Sequence, residues 1–270
     1  MPVTRSATAA SPLVGVTDPP AFTSFNAAGR APALIVCDHA SRAIPSALGS
    51  LGLPAAALER HIAWDIGAAD LARSLARYLD APAVLAGFSR LVIDCNRRLD
   101  DATLILAESD GQRIPGNVGI DARARAERVR WCHAPYHEAI DRHLESFERR
   151  GIVPAFLSIH SFTPVMNGAQ RPWHVGVLWD EDPRMAVPML TALGARPDIC
   201  VGDNLPYSGR HPADYTVDRH AESSGLPHLC LELRQDLLPD ARGVERWTDI
   251  IGPPVRKLIE DEGLHRAQLP

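Results

Sequence analysis

"FLSIHSF", residues 156–162, sets Phe156, Leu157 and Ile159 in a short apolar run and places His160 at its downstream end, ahead of Ser161 and a loop rich in Pro and Gly. A run of this length and composition predicts a strand buried within a sheet. An imidazole delivered to the end of such a strand has two readings. It is a core histidine satisfied by a backbone carbonyl, or it is a metal ligand or catalytic base. For one histidine alone the first reading is the commoner, so the flanking segments decide.

Working outward, "ALIVCDHAS" (33–41) is a second continuous apolar run, again ending in a histidine. "APAVLAGF", "SRLVIDCN", "WHVGVLWD" and "HLCLELRQDLL" read as further strands. Between them lie helical patterns. In residues 61–81, Ile62, Ile66, Ala69, Ala72, Leu75 and Leu79 recur at helical spacing. Residues 123–151 carry Val129, His133, Tyr136, Ile140, Leu144 and Phe147 on one stripe, with a kink or restart predicted at Pro135 and a stop at Gly151. "DPRMAVPMLTALG" predicts a helix with Asp182 as N-cap and Pro183 in its first turn. A closing helix in "ARGVERWTDIIGPPVRKLIEDEG" should be interrupted at Pro253-Pro254. Strands alternating with helices predict a three-layer α/β/α fold around a mixed, mainly parallel sheet. Residues 1–30, rich in Ala, Ser, Thr and Pro, predict a loosely ordered arm, and 31–270 a single α/β hydrolase domain.

The 270-residue chain is 46% hydrophobic and 23% charged, enough to bury a large core. Its net charge of −5 and the lack of a basic run argue against nucleic acid as a partner. No apolar stretch reaches membrane-spanning length, and no secretory h-region is present, so a cytoplasmic location is expected. Cys37, Cys95, Cys132, Cys200 and Cys230 are odd in number, widely spaced and without a CxxC pair. That excludes a disulfide framework and a thiolate zinc site as expectations. Oligomeric state has no signal in the sequence.

In open α/β sheets ligands bind beyond the carboxyl ends of the strands. The predicted strands end in Asp38-His39, in Asp94-Cys95-Asn96-Arg97, in His160-Ser161 and, near its end, in Glu232 followed by Arg234. A hydrolytic zinc site needs about three N/O ligands and a separate carboxylate base. His39 and His160 can supply two ligands. Asp65 or His61 can supply the third; they stand i and i+4 on the predicted helix, and Asp65 is preferred because Trp64-Asp65 lies deeper in its apolar part. Against this, Asp65 could merely orient a ligand histidine, and His61 could face solvent. Glu232 lies inside an apolar run, where an unpaired charge is costly, so it is either ion-paired to a neighbour such as Arg234 or held there for chemistry. Arg90, Arg97 and Arg171 raise the question of an anionic substrate, since guanidinium forks match carboxylates. Arg97 is the strongest of the three because it follows a buried run directly and sits beside Asn96.

"CDHAS", "HIAWDIGAADLA", "SRLVIDCNR", "LSIHSFTPV", "RPWHVGVLWD", "VGDNLPYSG" and "LPHLCLELRQDLL", in this order, resemble the N-formylglutamate amidohydrolase family over about residues 30–258. The resemblance implies a plan like that of zinc carboxypeptidases and aspartoacylase-type deacylases. It implies one divalent metal, zinc by preference, held by His39 and His160. It implies Asn96 and Arg97 as the clamp for a substrate carboxylate and Glu232 as general base; Arg171, from its residue type and not from the resemblance, is expected as a further binding residue. The implied reaction is hydrolysis of the N-acyl, preferably N-formyl, group of an amino acid such as N-formylglutamate. A related deacylase or peptidase, or a non-catalytic binding protein, is the alternative. The peptidases take a ligand from an HxxE motif, whereas here Arg42 stands three residues after His39, which leaves Asp65 to supply the carboxylate.

Overall fold

The computed structural model describes residues 13–211 and 214–268. In chain order the strands are β1 (Phe22–Phe25), β2 (Ala33–Cys37), β3 (Ala83–Ala86), β4 (Glu108–Ser109), β5 (Gln112–Arg113), β6 (Ala155–Phe162), β7 (Val165–Met166), β8 (Ala169–Gln170), β9 (Val175–Leu178), β10 (Val201–Asp203) and β11 (His228–Arg234). The α-helices are α1 (Ala55–Leu58), α2 (Ala68–Leu79), α3 (Ala122–Arg128), α4 (Ala134–Glu148), α5 (Pro183–Gly194), α6 (Tyr215–His220) and α7 (Ala241–Ile259). Seven strands form one sheet in the order β1-β3-β2-β6-β11-β9-β10. β3, β2, β6 and β11 run parallel, β9 runs antiparallel to β11, and β1 closes one edge antiparallel to β3. The fold is therefore the predicted mixed, mostly parallel sheet with helices on both sides.

One sheet face, with Ile35, Leu157, Ile159, Leu229 and Leu231, packs against α2, α5 and α7. The other face begins in the same apolar fashion. Leu34, Val36, Phe156 and Cys230 pack with Tyr136, Ile140 and Phe147 of α4. Towards the carboxyl ends of the strands this second face turns polar. The register sets Ser158 beside Cys230 and His160 beside Glu232. With the period of two along a strand, the residues beyond Leu34 and Val36 continue to Asp38 on the same side. A third apolar cluster, with Leu53, Ile62, Leu91, Ile93, Leu104 and Ile114, roofs this region from irregular chain.

Several sequence expectations are corrected. "SRLVIDCN" is not a strand but a series of buried turns. Its backbone groups find local partners, as in Val92 N–H to Ser89 C=O and Arg97 N–H to Asp94 C=O, and both sides of β3 are already paired. Leu91, Val92 and Ile93 are still buried, but in the roof rather than in the sheet. The helix expected over 61–81 begins only at Ala68, so His61 and Asp65 share no helical face. Gly67 precedes it at φ +81°, and a Cβ there would fall 2.4 Å from the Leu238 Cβ, so this entry turn requires glycine. The helical pattern over 123–151 resolves into α3, a π-helical turn at Val129–His133, and α4 with Pro135 in its first turn. α7 runs unbroken through Pro253 and Pro254, because Trp247, Ile251, Val255 and Ile259 bury one face of it on the sheet layer and α2. Of the expected arm, residues 1–12 lie outside the described residues, while Phe22–Phe25 is an edge strand of the sheet. Asp182 caps α5 as predicted, accepting from Arg184 N–H at 2.9 Å.

Candidate active site

A cavity of about 710 Å³ opens beyond the carboxyl ends of β2, β6 and β11. His39, Asp65, Asp94, Asn96, Arg97, His160 and Glu232 all line it. The chain just before α2 reaches the site because the Asp65 N–H donates to the His39 carbonyl (3.0 Å) and the Ser161 hydroxyl donates to the Ile66 carbonyl (2.8 Å). Asp65 is thus stitched between the ends of β2 and β6. Its Oδ2 lies 3.3 Å from His39 Nδ1 and 3.0 Å from His160 Nδ1, and accepts the Ser161 N–H at 3.2 Å.

The outer nitrogens of both rings are held by further groups. His39 Nε2 is 2.7 Å from Asp94 Oδ1. Asp94 is itself fixed by the Asn96 N–H (2.9 Å) and by Arg90, whose Nη2 and Nε stand 2.7 and 3.1 Å from Oδ2. His160 Nε2 is 3.1 Å from Ser158 Oγ and 3.1 Å from Asp38 Oδ2, with good hydrogen-bond alignment only to Ser158. Burial opposes charge on both imidazoles, and Arg90 opposes it on His39. The surrounding carboxylates prevail and raise both rings above the usual histidine range: Asp94 and Asp65 for His39, Asp38 and Asp65 for His160. Asp65 is correspondingly lowered despite its burial.

These donors fit a divalent metal. Both Nδ1 atoms lie at hydrogen-bond distance from Asp65 Oδ2 and can donate to it; on losing those protons, with Nε2–H held outward, the two rings would offer Nδ1 lone pairs beside a carboxylate oxygen to a cation. His39, Asp65 and His160 each bring a ligand atom within 4.8 Å of the others. Two imidazoles and a carboxylate are a zinc-compatible set, and an outer carboxylate on a ligand histidine is the usual support. A second group, His160, Asp214 and Cys230, also meets that spacing. It suits a metal less well: burial pushes the Cys230 thiol far up, and Asp214 caps α6 through the Val217 N–H.

Glu232 lies in β11 beside His160 and opposite Gly176 of β9. Its Oε2 is buried without a hydrogen-bond partner among the described residues. The ion pair weighed for it with Arg234 is absent, since Arg234 turns to Asp236 at 2.8 Å. Burial, reinforced by Asp65 against the pull of His160, pushes the Glu232 carboxyl up to about 8.

The remaining sequence candidates separate. Asn96 Oδ1 accepts the Thr216 N–H at 2.9 Å. Arg97 donates to Thr103 Oγ1 (3.1 Å) and to the Asn96 carbonyl (2.7 Å) and has no carboxylate partner among the described residues. Arg90 is committed to Asp94 and Asp65, the ordinary ion-pair reading of an arginine. His61 lines the cavity, but its Nε2 sits 3.5 Å from Asp110, apart from the His39–Asp65–His160 group. Arg171 is not among the residues lining the cavity; it donates to the Tyr207 hydroxyl at 2.9 Å and stacks over the Tyr207 and Phe162 rings. Tyr207, which does line the cavity, was not anticipated. It arrives on the 203–209 loop, which crosses β9 where a Cβ on Gly176 would meet the Leu205 carbonyl oxygen at 2.2 Å. Asn204 pins this loop by accepting the Trp179 and Gly209 N–H groups, and the "VGDN" motif is the one sequence signal that could have pointed there.

The fold and the position of the cavity define an α/β protein with a polar site in the crevice beyond its strand ends. Residues 31–238 match the N-formylglutamate amidohydrolase family, hydrolases acting on amide bonds, and the chain belongs to that family. Among solved structures it is similar to a gene product of Agrobacterium tumefaciens, at 32% identity and a TM-score of 0.88 over 92% of this chain and 98% of that one. An N-formylglutamate amidohydrolase from Ralstonia eutropha JMP134 shares the fold at 17% identity, with a TM-score of 0.70 over 88% of this chain and 97% of the other. No curated protein sequence matches the chain. No described helix is long and apolar enough to cross a membrane.

Proposed function

We propose that this chain is a metal-dependent amidohydrolase that removes the N-acyl group, preferably formyl, from a carboxylate-bearing amino acid such as N-formylglutamate. The observation that carries the reading is the convergence of His39 Nδ1 and His160 Nδ1 on one oxygen of Asp65, beside the unpartnered carboxyl of Glu232. His39, Asp65 and His160 would hold the metal, zinc by preference. When bound, it supplies Lewis acidity toward an acyl carbonyl and acidifies water.

The chain's own residues do the rest. Glu232 accepts a proton from water as the oxygen adds to the acyl carbon, and returns it to the amide nitrogen as the C–N bond breaks. Asn96 and Arg97 hold the carboxylate of the amino acid, so that binding energy away from the reacting bond orients it. Arg171 contributes through Tyr207, which it fixes at the cavity wall. Asp94 and Arg90 orient His39, and Ser158 and Asp38 orient His160.

The cavity is roomy for an amino acid with a one-carbon acyl group. That favours, as a second reading, a deacylase for larger N-acyl amino acids. Metal analysis of the purified protein and a panel of N-formyl, N-acetyl and longer N-acyl amino acids test both. The expected result is about one zinc per chain and release of formate from N-formylglutamate, lost on chelation and restored by zinc. Preference for longer acyl groups would select the second reading. No hydrolysis of any panel member by the metal-loaded protein would overturn both.

A further inference from the structure

A second set of buried histidines lies behind the Asn96–Arg97 segment. His133, in the π-helical turn, and His137, one turn further along on α4, are 2% and 1% exposed. His137 Nε2 lies 2.9 Å from the Cys95 carbonyl oxygen, and His133 Nε2 lies 3.2 Å from that of Arg97. The carbonyls on either side of Asn96 are therefore each held by a histidine. His137 Nδ1 is in turn 2.8 Å from His220 Nε2, with the rings stacked at 18°. His220 Nδ1 is 3.1 Å from Asp141 Oδ1, and Asp141 also takes Arg219 at 3.0 Å.

The partners fix the number of protons. A carbonyl only accepts, so His137 Nε2 carries hydrogen; His220 Nδ1 stands at ion-pair distance from the Asp141 carboxylate, where a bare lone pair would be repelled, so it carries hydrogen as well. The bond between the rings needs one more. Three N–H groups on two imidazoles are one more than two neutral rings hold, and Asp141 balances the resulting charge. The environment agrees. The extra proton is assigned to His220 because that ring faces the Asp141 carboxylate, while burial, with His133 and His220 nearby, holds His137 well below the ordinary histidine range. Burial works against the Asp141 carboxylate, but His220 and Arg219 hold it below its usual range. The other titratable groups facing the pair are Asp38, Tyr136 and Tyr215. At its outer end Asp141, Arg219 and His220 line a separate cavity of about 650 Å³, open to proton exchange.

We propose that His137, His220 and Asp141 form a protonated strut, with His133 as a second brace, that positions the Cys95–Arg97 backbone and so aims the Asn96 and Arg97 side chains at the substrate carboxylate. These are positioning residues and touch no substrate. The inference rests on reading Asn96–Arg97 as the carboxylate clamp.

Two measurements on the full chain test it. The first is independent of activity: ring-nitrogen NMR at pH 7, assigned by signals lost in His137→Gln and His220→Gln. One imidazolium on His220 and one Nε2–H tautomer on His137 are expected, and Asp141→Asn should lower the pH at which the imidazolium titrates. Two neutral rings, or a titration unmoved by Asp141→Asn, overturn the strut. The second compares His137→Phe with His137→Gln on N-formylglutamate and on the analogue with an amide in place of the α-carboxylate. Phe should raise KM for the acid about tenfold, the scale of one lost buried hydrogen bond. It should leave kcat within about twofold and spare the amide, and Gln, which keeps a donor for the Cys95 carbonyl, should restore part of the loss. Equal losses on acid and amide, or no rescue, overturn the positioning role. Should His137→Phe fail to fold, the half-exposed Asp141→Asn carries the same test: KM for the acid should rise at lower pH than in wild type, and an unchanged profile overturns it. A wild-type protein inactive on every N-acyl amino acid would sink the functional reading, while the NMR result would still judge the strut.

Discussion

The protein buries two pairs of histidine rings at the same separation, 5.1 Å between centroids, and arranges them differently. His39 and His160 meet edge to face at 66° and both turn Nδ1 to one carboxylate oxygen; His137 and His220 stack at 18° and hydrogen-bond to each other. In the first pair both rings turn to one carboxylate oxygen, where under the proposed function a metal would take the place of the ring protons. In the second a line of alternating acceptors and donors is resolved by one added proton. Burial alone does not separate a ligand histidine from a structural one. The partners of the facing nitrogens do: one shared carboxylate oxygen in the first pair, each other in the second.

The largest effect expected from breaking this comparison lies beside the first pair. Glu232→Gln keeps the shape and removes the base. It should retain metal and substrate binding yet lose at least about a hundredfold in turnover. Near-normal hydrolysis would make Glu232 structural. Next come the proposed ligands. His39→Ala, His160→Ala and Asp65→Ala should each abolish stoichiometric zinc, measured by elemental analysis after dialysis, whereas His61→Ala should retain it. Retention in Asp65→Ala with loss in His61→Ala would reverse the assignment. Asp94→Asn, which withdraws the carboxylate from His39 Nε2, should weaken zinc affinity by about ten- to a hundredfold while leaving the site formed.

A smaller effect is expected at the proposed carboxylate clamp. Arg97→Lys keeps the charge but loses the planar fork, and should lower kcat/KM on N-acyl amino acids by about tenfold while sparing the corresponding amides. The smallest concerns a histidine outside both pairs. His228 Nε2 lies 3.1 Å from Glu222 Oε1. The contact with His228 lowers the Glu222 carboxyl below 4.5; burial opposes the His228 charge, but Glu222 raises it above 6.5. The Glu222 contribution is present above pH 4.5 and lost as pH falls through its lowered value. The His228 contribution is complete below pH 6.5 and lost as pH rises through its raised value. Glu222→Gln should therefore cost about 1 kcal/mol in denaturant unfolding between roughly pH 4.5 and 6.5. The difference should shrink on either side of that window, and a pH-independent cost would mean that packing rather than charge is at stake.

The reading of strands and helices succeeded where one periodicity dominated. "ALIVC", "AFLSIHSF" and "HLCLELR" are central strands because their runs are apolar on both faces. "SRLVID" has the same composition and is not a strand, since a place in a sheet depends on free neighbours and not on the run itself. The helical spacing of 61–81 likewise extended into turns, because Gly67 and the bond from Asp65 N–H to His39 C=O end the helix early.

By itself the sequence determined the alternation of strands and helices and the delivery of His39, His160 and Glu232 to strand ends, because these depend on local periodicity, and it carried the ordered motifs by which it resembles its family. Tertiary structure alone decided that Asp65 stands between the two histidines, that Arg90 is spent on Asp94, that Arg171 donates to Tyr207, and that His133 and His137 meet the carbonyls on either side of Asn96. Each of those depends on chain segments far apart in sequence meeting in one crevice, where the partner of a side chain, and not its type, sets what it can do.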